Sequence, residues 1–565
     1  WCHFKTFTGG DMNMLVRIAA RMSLVLASLI VSVAALGADA RFIVMMDSSA
    51  SFQKAANATF VKQSNGTMVA RANGFLGTSV RPQAVLRTLK MFVVAGDESQ
   101  AIALRAKPGV ALVEKERFFK APRPVPMYGT FSPFNVTPIA RPTNTTPAMP
   151  WGIKAVRAPE AWAASTRGEG ARVLVLDTGL DKDHPAIPAS RVEEGRDFVG
   201  DNLSPYPYLD QVGHGTHVAG TILAESMDTG FVGVAPKATL LAGRVCNTDG
   251  CSTLSIIAGI NWGIEKKVGV INMSLGGPFP SSAQKRAVEA ADAANIVVVA
   301  ASGNDGNGSV GYPAGFPTVI AVGAVDVNLN KADFSQWGPE LDVVAPGVDV
   351  VSSVPVGTGR ETAVQITVNG KTELTPSAGM VGSPEMPNGM TNSLVFCGLG
   401  KADQFPTSVK GKFALISRGE ITFAEKVKNA IAAGAAGAVI YNNAPGLLSG
   451  SLSEDGSEVA VPAVMITQVT GNALKAVLET NGAAEATIQS FRTDYASFQG
   501  TSMASPHTAG VVALIRSANE NLTPAQVREI LMTTTSPLQG PNDENQWGKG
   551  LVNAEAAVQK AASMR

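Results

Sequence analysis

Only four cysteines occur in the 565 residues, at Cys2, Cys246, Cys251 and Cys397. That is too few to staple a fold together, so the core must come from hydrophobic burial. Charge is sparse too: Lys, Arg, Asp and Glu make up 16% of the chain, and 46 basic residues cancel 46 acidic ones. With a net charge of zero and no basic block, nucleic acid is excluded as the main partner. Histidine is scarce, with five residues. His214 and His217 stand three apart with no Glu between them, and no cysteine pair has finger spacing, which rules out a zinc reading. The 57 glycines and 33 prolines carry no G-X-Y period, so a collagen is excluded. What is present is 45% hydrophobic residues, ordinary for a globular protein. The length predicts three to four folding units at roughly 150 residues each.

The N-terminal region has the pattern of an export signal. Met12 or Met14 reads as the start, Arg17 and Arg21 supply a positive flank, and the apolar stretch Met22–Leu36 is short for a membrane span. Ala38-Asp39-Ala40 is a small-x-small cleavage signal. Residues 12–40 are therefore expected to be a signal peptide, the mature chain to lie outside the cytoplasm, extracellular or periplasmic, and no membrane partner to remain after cleavage. No second run of 18 apolar residues exists.

Residues 41–120 hold strand-like runs at Phe42–Met46, Lys90–Ala95 and Val110–Glu114 and a helical stretch at Glu98–Arg105, which predicts a small α+β unit. Residues 121–150 contain eight prolines and read as an extended linker, since proline denies both helix and ladder bonds. From 151 the pattern alternates. Apolar runs at Val173–Leu176, Val268–Met273, Ile296–Ala300, Val319–Val322 and Leu341–Val344 suit strands buried on both faces. Helical segments near 255–267 and 282–294 lie between some of them, which predicts an α/β fold with a parallel sheet and crossover helices. The alternation loosens after Pro346-Gly347 and resumes at Ser502–Ser517 and Thr523–Thr534, so residues 355–492 read as an insert in a domain formed by 151–354 and 493–565.

Four segments bear chemistry. Asp177-Thr178-Gly179 directly follows a strand, where sites form in open parallel sheets; alone it is a turn signal. His214–Gly220 opens an apolar helical run, in which His217 reads as a satisfied helix residue. Gly500–Gly510 places Ser502 at the start of an apolar helix, where a lone serine is usually an N-cap. Asn304, after the strand at 296–300, is able to donate its side-chain amide to a developing oxyanion. The chain order Asp, His, Ser is one known order of a nucleophilic triad, and this company lifts each residue above its bland reading.

Here the sequence resembles the subtilisin-like serine peptidases, or subtilases. The matching motifs are Asp177-Thr-Gly179, His214-Gly-Thr-His-Val-Ala-Gly220, Ser274-Leu-Gly-Gly277, Ser302-Gly-Asn304 and Gly500-Thr-Ser-Met-Ala-Ser-Pro-His507. The resemblance implies a subtilisin-like parallel sheet flanked by helices. It implies Ser502 as nucleophile, His214 as base and then acid, Asp177 as the group orienting the imidazole, and Asn304 with the Ser502 N–H as oxyanion hole. Substrate backbone would pair with Ser274, Leu275 and Gly276 and with Gly250–Ser252, while Ala301, Ser302, Gly303 and Gly311 would line a primary pocket roomy enough for a large apolar side chain. Residues 41–120, most clearly Ala103–Glu114, resemble an inhibitory prosegment, which in the family is cut off autocatalytically. Gly411–Gly419, Phe423–Lys426 and Ala432–Ile440 resemble the protease-associated domain inserted in larger secreted subtilases.

The departures carry expectations of their own. The family's tight calcium site uses an Asn and an Asp side chain; Met227 and Ala186 stand in their places, so that site is expected to be degraded, with a structural calcium left open to a rearranged site at Asp228 or Glu225, while the reaction itself requires no cofactor. Cys246 and Cys251 flank a turn signal and make a small-loop disulfide plausible in an exported protein, while Cys397 has no evident partner, Ile421 standing where related inserts carry a second cysteine. The reading that follows is a secreted serine endopeptidase of broad specificity, made as a zymogen, with protein substrates and its own prosegment as partners. The rivals are a catalytically silent scaffold used for protein binding, which would lack a triad or oxyanion residue, and a narrow processing enzyme.

Overall fold

The computed structural model describes residues 40–62, 68–70, 75–76, 80–120, 125–126, 149–201, 203–226, 230–443, 447, 452, 458–538 and 543–565. The expected signal peptide as far as residue 39, Met227, and the expected linker apart from Val125–Pro126 and Met149–Pro150 lie outside them. Two compact units divide the chain after Glu116.

The first unit holds a four-stranded antiparallel sheet ordered Arg81–Leu86, Met91–Gly96, Ala40–Met46, Val110–Lys115. The expected helix Glu98–Arg105 starts at Asp97, whose carboxylate accepts the Gln100 N–H at 2.8 Å in a reciprocal capping box. A second helix, Ser49–Thr59, was not foreseen, because its sequence offers few apolar residues; Phe52, Ala55 and Ala56 are its buried face. Phe52 stacks on Phe92 at 5.1 Å in the core beneath the sheet.

The second unit is built on a parallel sheet of seven strands. These are β1 (Arg172–Asp177), β2 (Val192–Asp197), β3 (Thr239–Arg244), β4 (Val270–Met273), β5 (Val297–Ala301), β6 (Val319–Val325) and β7 (Val343–Pro346), in the order β2-β3-β1-β4-β5-β6-β7. The strands from β4 to β7 are buried throughout, as the apolar runs require. β2 escapes an apolar-run criterion because it is the edge strand and half open, with the sequence Val-Glu-Glu-Gly-Arg-Asp. The strand order reverses around β1, so the carboxyl ends of β1, β3 and β4 frame the crevice where α/β sheets place their sites. Helices α1 (His214–Leu223), α2 (Thr253–Lys266), α3 (Ser282–Ala293) and α4 (Thr501–Ala518) cover the sheet. α4 runs through the centre of the core and is buried along nearly its whole length.

The insert forms its own eight-stranded sheet with helices Phe423–Ala432 and Gln468–Glu479 and two cores of its own. Its ends are tied together where Val350–Ser353 pairs antiparallel with Tyr495–Gln499. The third strand of that small sheet is Val125–Pro126, on Gln499 and Phe498. Proline is therefore compatible here with ladder pairing, because the segment is an edge strand. Among the described residues no helix is long and apolar enough to cross a membrane.

Candidate active site

Asp177 ends β1, and its backbone oxygen accepts the N–H groups of Val245 and Cys246 beyond β3 at 2.8 and 3.2 Å. Its carboxylate Oδ1 accepts the Thr178 N–H at 2.7 Å and meets His214 Nδ1 at 2.8 Å. Both side chains are buried, so the bond is formed out of water. His214 is the first residue of α1, and the turn before it is fixed by Asp210. That carboxylate is 3% exposed and accepts five hydrogen bonds: from Thr178 Oγ1, Val212 N and Gly213 N on one oxygen, and from Thr216 N and Oγ1 on the other. Thr178 Oγ1 in turn accepts the Gly215 N–H at 2.8 Å. Asp210 thus locks the strand carrying Asp177 to the helix carrying His214. The motif reading missed it, since it lies in a loop; the signal was a lone Asp four residues before the histidine.

Ser502 is the second residue of α4, not its cap; that position belongs to Gly500. α4 packs against α1. The Ser502 hydroxyl donates to the Ser274 carbonyl oxygen at 3.0 Å, and no hydrogen bond joins it to His214. Ser274 Oγ donates to the Ser502 carbonyl oxygen at 2.7 Å. Asn304 Oδ1 accepts both the Thr501 N–H and the Thr501 hydroxyl at 2.9 Å, which leaves the amide Nδ2–H₂ as its free donor face. A β-carbon built on Gly500, whose φ is +145°, would lie 3.4 Å from Asn304 Nδ2 and 3.6 Å from Ser502 N, so both donors border one spot. Gln336, also unforeseen, backs this loop: its N–H donates to Gly303 O at 3.0 Å, its carbonyl accepts the Ser302 hydroxyl at 3.0 Å, and its side chain fills the space a Gly303 β-carbon would need.

The other site residues gather around this centre. Gly311 donates to Ser302 O at 2.8 Å, and a β-carbon there would sit 3.2 Å from Ser302 O and 3.4 Å from Gly277 O. Ala301–Gly303, Gly311 and the Ser274–Gly277 segment are therefore neighbours, with Leu275 buried and Gly276 pressed against the Tyr312 backbone. Cys246 and Cys251 are disulfide-bonded, closing the turn that holds Gly250. The edge strand Cys251–Ser252 is not open: Phe118–Phe119 pairs with it antiparallel, and the Thr253 N–H donates to Arg117 O at 2.9 Å. The Phe119 ring lies against Gly277.

His217 and His507 are buried without any exposure. His217 Nε2 meets the carbonyls of Val350 and Ala496 at 2.9 and 3.1 Å, while its Nδ1 has no partner, so the helix residue is only half satisfied. Burial, followed by the neighbouring His214, pushes its pKa down to about 3. Burial takes His507 to about 4.

The subtilase family profile matches residues 168–381, and the PA domain profile matches residues 390–474. Subtilisin from Bacillus pumilus is 44% identical over 216 residues, 37% of this chain and 77% of its own length. The chain belongs to the subtilase family. Subtilisin E of Bacillus subtilis (strain 168) is 45% identical over 216 residues, and this subtilase spans about half its length, 55%. A solved psychrophilic subtilisin-like protease from Pseudoalteromonas sp. AS-11 is 29% identical, with 74% of this chain and 99% of that one covered at a TM-score of 0.49.

Proposed function

We propose that this subtilase is an exported serine endopeptidase, made as a zymogen that cuts itself. The observations that carry the reading are the buried Asp177–His214 bond on α1, which packs against α4, and the amino end of α4, where Ser502 N and the free face of the Asn304 amide border one spot. In this reading Ser502 Oγ swings from the Ser274 carbonyl to His214 Nε2 and gives up its proton as it attacks the scissile carbonyl. Asp177 holds the imidazole with Nδ1–H toward its carboxylate and stabilises the imidazolium. The oxyanion takes hydrogen bonds from Asn304 Nδ2 and the Ser502 N–H. His214 returns the proton to the leaving amine, and water then resolves the acyl-enzyme through the same groups. The small residues Ala301–Gly303 and Gly311 favour large apolar side chains in the primary pocket, and pairing along Ser274–Gly276 and Gly250–Ser252 reads substrate backbone without regard to sequence. No cofactor enters these steps.

Self-processing is supported by the path of the chain itself. Phe118–Phe119 pairs with the edge strand before the site, and Val125–Pro126 pairs with Phe498–Gln499, three residues before Ser502. The bond cut first would then lie between Lys120 and Val125. The test is the intact mass of the exported protein, wild type against Ser502→Ala. The wild type alone should lose everything up to a bond in that interval. Equal trimming of both would assign the cut to another protease, and trimming of neither would end the zymogen reading.

A further inference from the structure

The loop after α1 is where the family resemblance implies a tightly held calcium ion, with oxygens from positions 186 and 227. Calcium needs six to eight oxygen ligands. The residues present do not fit it. Position 227 is a methionine, and Ala186 is fully buried with Ala224 and Phe231 in a small apolar cluster against which Tyr495 packs. The backbone oxygens nearby are already engaged: Ala186 O accepts from Glu225 N at 2.8 Å, Phe231 O from Ser226 N at 2.8 Å, and Ser226 O from Gly230 N at 3.0 Å. The Glu225 carboxylate is spent on Arg167 at 2.9 Å, whose guanidinium lies over the Trp162 ring.

The same space is bonded to the returning end of the insert. The Phe231 and Tyr495 rings meet edge to face at 4.9 Å, and Tyr495 meets His184 edge to face at 5.3 Å. His184 Nδ1 accepts the Ala186 N–H at 3.0 Å, which fixes the proton on Nε2, and that N–H donates to the Asp494 carbonyl at 2.8 Å. Asp494 and Tyr495 are the residues at which the chain comes back from the insert. An ion holds a loop by drawing oxygens together. Here an apolar cluster holds it by excluding water, and an aromatic residue from a distant part of the sequence closes the cluster.

We propose that this subtilase restrains the loop after α1 without a cation, through a joint of Ala186, Ala224, Phe231 and Tyr495, so that the strand by which the chain re-enters its first domain after the insert takes over the task of the metal. The inference rests on family membership and not on the activity proposed above. The test uses the full chain as Ser502→Ala, to prevent self-digestion, in excess EDTA and in excess calcium chloride. Amide hydrogen exchange is read at Glu225, Ser226 and Phe231–Val232, together with the thermal midpoint. Exchange at these amides should be the same in both conditions. A tight site saturated a thousandfold would raise the midpoint by roughly ten degrees and slow these amides with it. A calcium-dependent slowing of tenfold or more at these amides overturns the proposal. A midpoint that moves while they do not leaves it standing and places the cation elsewhere. Phe231→Ala and Tyr495→Ala should each speed exchange at Glu225 and Ser226 and lower the midpoint by about 5 °C. If Tyr495→Ala changes neither, the joint does not exist.

Discussion

Ser274 and Ser502 hold one another in both directions: the Ser502 hydroxyl donates to the Ser274 carbonyl at 3.0 Å, and the Ser274 hydroxyl donates to the Ser502 carbonyl at 2.7 Å. In the proposed mechanism the first bond breaks so that Ser502 reaches His214, while the second stays and steadies the start of α4. Asn272 and Ser505 extend it, through Asn272 Nδ2 to Ser274 Oγ at 3.1 Å and Ser505 Oγ to Asn272 Oδ1 at 2.8 Å. Ser274→Ala keeps the carbonyl and removes the second bond together with the one that Ser274 Oγ accepts from Asn272 Nδ2. At about 1 kcal/mol for such a bond, kcat should fall by roughly fivefold with KM little changed. Steady-state kinetics on a peptide amide decide it, and an unchanged kcat would mean that the tether positions nothing.

Asn304→Ala removes one of the two proposed oxyanion donors and leaves Thr501 to find another acceptor. The expected loss is about 10²–10³ in kcat, the size known for the like donor in subtilisin. KM should stay near wild type, since the interaction forms only as charge develops. Gly500→Ala should also cost activity, because it forces an alanine to φ +145° and sets a methyl beside both donors.

Asp210→Asn places an N–H₂ group where only donors now point. Buried donors left without acceptors cost roughly 1–3 kcal/mol each. The variant should lose both thermal stability and at least tenfold in kcat, since the Thr178–Gly215 link ties Asp177 to His214. A lowered melting temperature with a normal kcat would reduce Asp210 to a purely structural role.

Acid should destabilise the folded chain from near neutrality. His217 and His507 are held neutral by burial, at about 3 and about 4, while unfolded histidine titrates near 6.5. The unfolded chain therefore binds more protons below pH 6.5, and stability is lost as pH falls through that value toward the folded pKa values. The slope for two such groups is about 2.7 kcal/mol per pH unit at most. Asp342 and Asp349 act in the opposite sense, because burial holds their carboxyls above the usual range. Denaturation midpoints of Ser502→Ala should be flat from pH 8 to 7 and then fall. A midpoint that holds constant down to pH 5 contradicts the buried neutral histidines.

Replacing both Cys246 and Cys251 by Ser should loosen the turn that presents Gly250 and Ser252. KM should rise several-fold for extended peptides that pair with this edge. Short substrates that fill only the primary pocket should be unaffected, and equal effects on both would place the disulfide's influence elsewhere.

The sequence was most legible where chemistry demands particular side chains in fixed motifs. Asp177 and His214 are bonded, and Asn304 and Ser502 sit at the amino end of α4 as their motifs suggested. The buried strands were legible because burial on both faces leaves an uninterrupted apolar run. The edge strand β2 and the helix Ser49–Thr59 were not, since each shows the solvent a polar face. Asp210 and Gln336 act by reaching across loops, and no local period announces that. The prolines around 121–126 pointed to an unpaired linker, yet Val125–Pro126 finds a ladder partner at a sheet edge, where a missing N–H is tolerated.

The antiparallel pairing of Ser353 with Tyr495 leaves the insert's two attachment points side by side. A module docked on such a seam is portable: it is able to be gained or exchanged between lineages without re-routing any strand of the catalytic sheet. In this chain the portability is compromised, because a graft that omitted Asp494 and Tyr495 would take away the carbonyl that His184 binds and the ring that Phe231 meets. The seam is thus a joint on which the module and its host both depend.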